Sequence, residues 1–174
     1  RIGIIAIAIS LFFGVLLKLA ARLSERKTMH ILTFLSAFLI FLLTAYIAAI
    51  KLGAFEYLEK AGVDTNGRSV IYSAVDKFYE FSPDFLGNGI GFLTFQLNSS
   101  MHIGVAAVHN DFLQYFIDLG FFGYLIWLTS MTVLRVRYFG SHGRTDNAIT
   151  AFCLMLYLII VSLTDNPMNY PLLT

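Results

Sequence analysis

The stretch that most limits the fold is Ile31–Ile50, ILTFLSAFLIFLLTAYIAAI, twenty consecutive residues without a charge. Twenty apolar residues in an α-helix rise about 30 Å, the thickness of a bilayer's hydrocarbon core. Within that core each backbone N–H and C=O must find its partner inside the segment, which a helix achieves and a lone strand cannot. Ile2–Leu17 is also uncharged, and Lys18 can snorkel, so a first span covers about 2–21. Two more follow, over 112–134 and 147–164. Composition agrees: 13% of residues are charged and 57% hydrophobic, against roughly 25% charged in soluble domains. The expected fold class is an all-α integral membrane protein, a single domain over 1–174. A chain that runs from Arg1 straight into a span, with no basic n-region or small-residue cleavage site, is not a signal peptide. It reads as a fragment of a larger polytopic protein.

Loop charges orient the spans. The loop 22–30 carries Arg22, Arg26 and Lys27, with Lys18 just before it, and the loop 135–146 carries Arg135, Arg137 and Arg144. Both are cytoplasmic by the positive-inside rule. The segment 51–108 then lies outside, as do Arg1 and the tail after Thr164. Net charge is +1, which gives no basic field for nucleic acid. The single cysteine, Cys153, rules out an internal disulfide and a cysteine metal cluster. His102, His109 and Asp111 have no defensible metal-ligand spacing.

The outer loop 51–108 is too long for a connector. Val70, Ile71, Ala74, Val75 and Phe78 recur at helical spacing, so 66–80 is predicted to form a surface amphipathic helix capped by Thr65 or Asn66. Arg68 falls in its first turn, where a cation opposes the helix dipole. Pro83 is expected to end this helix. In SPDFLGNGIGF, Gly87, Gly89 and Gly91 mark tight backbone, not a dinucleotide fingerprint, because Phe92 stands where the third glycine belongs. The favoured reading is a turn; backbone amides there could also face an anionic ligand. Next, HNDFLQYFIDLGFFG puts His109, Asn110 and Asp111 at the head of a span and Asp118 inside it. An ionisable group at depth normally faces a cavity or a partner. Alternatively, Gly120 and Gly123 break the run, so that 110–119 is a short outer helix and the span begins near Phe121. The second reading is preferred.

Taken in order, an arginine opening a span, NGR in a long outer loop, P-x-F-L-G-N-G-I-G and then HNDFLQYFIDLGFFG resemble the O-antigen ligase/polymerase family of bacterial membrane glycosyltransferases. The resemblance covers nearly the whole chain, from Arg1 to about Tyr170. It implies a multi-pass protein of the bacterial cytoplasmic membrane, with its active face periplasmic or extracellular. The implied donor is an oligosaccharide on undecaprenyl diphosphate, and the acceptor is a glycan hydroxyl. No metal, nucleotide sugar or other cofactor is implied. Partners beyond the bilayer would be a chain-length regulator and a flippase. By motif, Arg1 matches the span-opening arginine, Arg68 the loop arginine and His109 the histidine of the HN pair.

These residue types suit that reaction. Departure of a diphosphate builds negative charge, and arginine grips phosphate oxygens with two parallel hydrogen bonds. Arg1 and Arg68 are therefore expected to clamp the diphosphate. An acceptor hydroxyl must lose its proton, for which histidine is the usual base near neutral pH; His109 is the candidate. Asn110 or Asp111 would fix its tautomer or cap the following helix. Gly89, Asp165 and Asn166 complete the expected substrate-binding set, the last two because SLTDNPMNYP returns to the outer face. Tyr72, Phe78 and Tyr115 suit sugar stacking, or simply packing. The leading reading is polymerisation of polysaccharide repeat units for capsule, exopolysaccharide or O-antigen. Ligation to lipid A core is the alternative within the same chemistry. A lipid-linked glycan transporter, with Asp118 and His109 as a proton relay, is the alternative from another class, and a non-catalytic scaffold is a third.

Overall fold

The computed structural model describes residues 2–99, 108–141, 145–165 and 167. Arg1, His102 and Asn166 lie outside the described residues. Four helical stretches are long and apolar enough to cross a membrane: Ile2–Leu23, Glu25–Lys51, Asp111–Ser141 and Thr145–Ser162. Among the described residues there is no strand. The chain is an all-α membrane protein.

Helix α1 (Ile2–Leu23) and α2 (Glu25–Lys51) are joined by Ser24 alone. Ser24 has extended backbone, and its hydroxyl accepts from Lys27 N at 3.4 Å. Glu25 then sits in the first turn, where a carboxylate favours the helix. The loop expected over 22–30 is thus one residue. Hydropathy marks where lipid ends; good helix formers such as Glu25, Arg26 and Lys27 carry the helix on past that boundary.

The outer segment begins with α3 (Ala54–Lys60) and α4 (Arg68–Val75), and a single 3-10 turn, Asp76–Phe78, continues α4. The helix expected over 66–80 is therefore shorter at both ends. Asn66 and Gly67 take left-handed backbone (φ 52° and 75°), so neither Thr65 nor Asn66 caps it. Its far end is closed by Lys51, whose Nζ donates to the carbonyls of Asp76 and Tyr79 at 2.9 and 2.8 Å. That stop comes before Pro83. The buried face is Ser69, Ile71, Tyr72 and Val75, whereas Val70 is exposed.

After a glycine-rich turn come α5 (Phe92–Ser99) and α6 (Asp111–Thr129). Helix α6 passes through a π-helical turn, Ser130–Leu134, into α7 (Arg135–Ser141), and α8 (Thr145–Ser162) follows. α8 pairs with α1, α2 and α7, and α2 also packs on α6. Leu32, Ile47, Tyr124, Leu128, Val136, Ile149 and Phe152 fill the space between them, each 2% exposed or less. The outward faces of α1 and α2 are apolar and bare, with Ile4, Phe12, Phe34 and Phe41 all more than 60% exposed. Exposed apolar area on that scale calls for lipid or a partner, not water.

The outer segment is fastened to α6 by aromatic packing. Phe116 is fully buried, with the rings of Tyr79, Phe81, Phe85 and Tyr124 centred 5.4–5.8 Å away.

Candidate functional site

The C-terminus of α2, the N-termini of α4 and α6 and the C-terminus of α8 meet at the end of the bundle that bears the outer segment. Arg68 opens α4, and its Nη2 donates to the carbonyl of Thr164 at 3.2 Å. Thr164 lies just past α8, where a helix presents its negative end. The cation that is misplaced on its own helix is thus well placed on another. The next residue, Asp165, brings Oδ1 to 3.7 Å from His109 Nδ1. That separation is an electrostatic contact, longer than a hydrogen bond. Both side chains remain accessible, at 49% for His109 and 40% for Asp165. Arg68, His109 and Asp165 come from three separated parts of the chain and share one surface. Arg68 spends one N–H of its guanidinium fork on Thr164; the planar group has five.

His109 is held in left-handed backbone (φ 53°), unusual for a residue with a side chain. What holds it is the next residue. Asn110 is fully buried with both amide donors and its carbonyl oxygen engaged: Oδ1 accepts from Leu113 N at 3.1 Å, capping α6, while Nδ2 donates to the hydroxyls of Tyr46 and Tyr72, each at 3.1 Å. Tyr46 belongs to α2 and Tyr72 to α4, so one amide ties three elements together. Of the two expectations for Asn110, substrate contact and capping of the following helix, the cap is the one present, and the side chain is buried. Asp111 is fully buried in the first turn of α6. Tyr72 is buried beneath Asn110, Phe78 packs on Phe92 and Tyr115 on Trp127. All three therefore take the packing role.

The glycine turn has its anion within the chain. Asp118 Oδ2 accepts from Gly91 N at 2.8 Å and Oδ1 from Leu93 N at 3.1 Å, which ties down the start of α5. Gly89 (φ 101°) donates its own N–H to the Asp118 carbonyl at 2.9 Å. The amides expected to face a ligand are answered by Asp118, which is 4% exposed. Helix α6 breaks at Gly120 (φ 74°, ψ −178°), so the expected interruption of the run between 110–119 and Phe121 is present. The break lets the Phe121 N–H reach the Phe85 carbonyl at 2.8 Å. Here two glycines cross: a Cβ on Gly87 would stand 2.4 Å from Gly120 N, and one on Gly120 would stand 2.3 Å from Leu86 C. Tyr46 and this Asp118–Gly120 clasp are the parts that sequence reasoning missed. Two glycine-rich motifs with a carboxylate in one of them were the available signal.

Beside the cluster, a cavity of about 270 Å³ is lined by Lys51, Glu56, Tyr72, Ser73 and Asp76, among others. Lys51 pairs with Asp76 at 2.9 Å, and Ser73 donates to Glu56 at 2.5 Å. Beneath Lys51, burial pushes the Tyr79 phenol well above its ordinary range. No group of three His, Cys, Asp or Glu side chains is arranged to hold a metal among the described residues. Comparison of the chain with known families, curated proteins and solved structures finds no match.

Proposed function

We propose that this protein is a membrane glycosyltransferase that moves a glycan from undecaprenyl diphosphate to an acceptor hydroxyl, extending polysaccharide repeat units. The observation that carries the reading is the convergence of a half-buried arginine and an accessible histidine, Arg68 and His109, on the adjacent residues Thr164 and Asp165. In the proposed step, the acceptor oxygen attacks the anomeric carbon as the bond from that carbon to the diphosphate oxygen breaks. The diphosphate leaves with the electron pair, and Arg68 stabilises its charge. His109 Nε2 takes the acceptor's proton, while Asp165, on the Nδ1 side, favours the imidazolium that forms. The enzyme would lie in the bacterial cytoplasmic membrane with this face outward. A proton-relay transporter gains no support from Asp118, whose carboxylate is engaged by two backbone amides.

The test uses purified full-length protein with lipid-linked repeat units and follows glycan length on gels. Wild type is expected to lengthen chains. His109→Ala and Arg68→Ala are expected to reduce elongation at least about a hundredfold, the scale of a lost base or charge clamp, with membrane expression unchanged. Elongation at the wild-type rate by His109→Ala removes the base assignment. Wild-type protein that makes no longer chains but carries lipid-linked glycan across vesicles overturns the enzyme reading.

A further inference from the structure

The opposite end of the bundle carries a second built feature. Helices α1 and α8 pack closely because Gly14 permits it; a Cβ there would stand 3.1 Å from Cys153 Sγ. Beside this contact runs a groove of about 400 Å³, walled by Ile7, Leu11, Val15, Ile149 and Leu154 and reaching Lys18. Lys18 also lines a cavity of about 700 Å³, together with Arg22, Glu25 and Asp146. An apolar trough therefore runs into a charged chamber, and Lys18 belongs to both. From Ile7 to Lys18 the helix rises about 16 Å, close to half the hydrocarbon core and so to the depth of one leaflet.

The chamber holds both signs of charge. Glu25 Oε2 accepts from Thr145 Oγ1 at 3.3 Å. Among the described residues, none of Lys18, Arg22, Glu25 and Asp146 is ion-paired. Opposite charges that share a cavity without pairing suit a ligand that itself carries both. We propose that groove and chamber together hold a glycerophospholipid with a phosphoethanolamine headgroup. One acyl chain lies against Leu11, Val15 and Leu154, the phosphate meets Lys18 and Arg22, and the primary ammonium meets Glu25 and Asp146. A quaternary ammonium has no N–H to donate to those carboxylates. A purely anionic headgroup leaves them facing negative charge. The site is independent of the proposed glycosyl transfer.

Native mass spectrometry of delipidated full-length protein decides the matter, with phosphatidylethanolamine, phosphatidylcholine and phosphatidylglycerol of matched chains titrated in competition. Phosphatidylethanolamine is expected to be retained about tenfold over either competitor. Lys18→Gln with Arg22→Gln should lower the retention of all three, since each carries the phosphate. Glu25→Gln with Asp146→Asn should erase the advantage of phosphatidylethanolamine over both competitors, and Leu11→Trp should reduce all three. Equal retention of the three lipids by wild type, or preference for phosphatidylglycerol, overturns the proposal even if a variant fails to fold. So does an unchanged preference in Glu25→Gln with Asp146→Asn when its circular dichroism and elution match wild type.

Discussion

Asn110 shows how a residue can belong to a site without touching a ligand. Its amide caps α6 and satisfies the hydroxyls of Tyr46 and Tyr72, and it stands next to His109, whose backbone is left-handed. Asn110→Ala loses the cap and two hydroxyl contacts, one buried and one part-buried, which together cost about 2–4 kcal/mol. Thermal unfolding in detergent is the measurement, with a clear drop in midpoint expected. Any activity is expected to fall with it, because the backbone that aims His109 loses its anchor. An unchanged midpoint would mean that the three-way tie contributes nothing. Arg68 teaches a related point. On its own helix it is an unfavourable first-turn cation, and its partner is a carbonyl 96 residues further along.

At the scale of elements, the outer segment is shaped by its crossing with α6. The Asp118 carboxylate organises the glycine turn, and the Gly87–Gly120 contact lets two backbones touch. Gly120 occupies a region of backbone space that is essentially closed to other residues. Gly120→Ala is expected to cost at least about 3 kcal/mol, from strain plus a backbone clash. Limited proteolysis should then cut within 79–99 well before it cuts the spans. A variant as resistant as wild type would show that the clasp is dispensable. In FLGNGIG and IDLGFFG, Gly87 and Gly120 lack side chains because each meets another backbone, whereas Gly89 and Gly91 stand in open space and take positive φ (101° and 82°). The proximity of this turn to His109 is positional: the turn buttresses the first part of α6, which carries the Asn110 cap at its head.

For the whole molecule, the charge bias and the four helices make one arrangement, with Arg22, Arg26 and Lys27 at one end and α3, α4 and α5 at the other. Glu80 is exposed at that second end. With Cys153 replaced by serine, Glu80→Cys should react with an impermeant maleimide added to intact cells, or to cells whose outer membrane alone has been opened. Labelling only after the cytoplasmic membrane is permeabilised would invert the topology and move the His109 surface to the cytoplasm.

Sequence by itself determined the class of fold. Uncharged runs such as Ile31–Ile50 leave the backbone no choice but a helix, because lipid offers no hydrogen bonds. It also located the break before Phe121, since glycine inside an apolar run weakens a helix. Helix ends within the outer segment were not legible. They depend on Lys51 capping α4 from the end of α2 and on left-handed backbone at Asn66 and Gly67. Tertiary structure alone decided which polar groups remain accessible. Asn110 and Asp118 look like site residues in a linear reading, but the fold uses them to satisfy its own buried donors and acceptors. His109 and Asp165, far apart along the chain, keep accessible side chains, with Arg68 half-buried beside them on Thr164. The physical reason is that burial and hydrogen-bond satisfaction are properties of neighbours in space, and here those neighbours come from different helices.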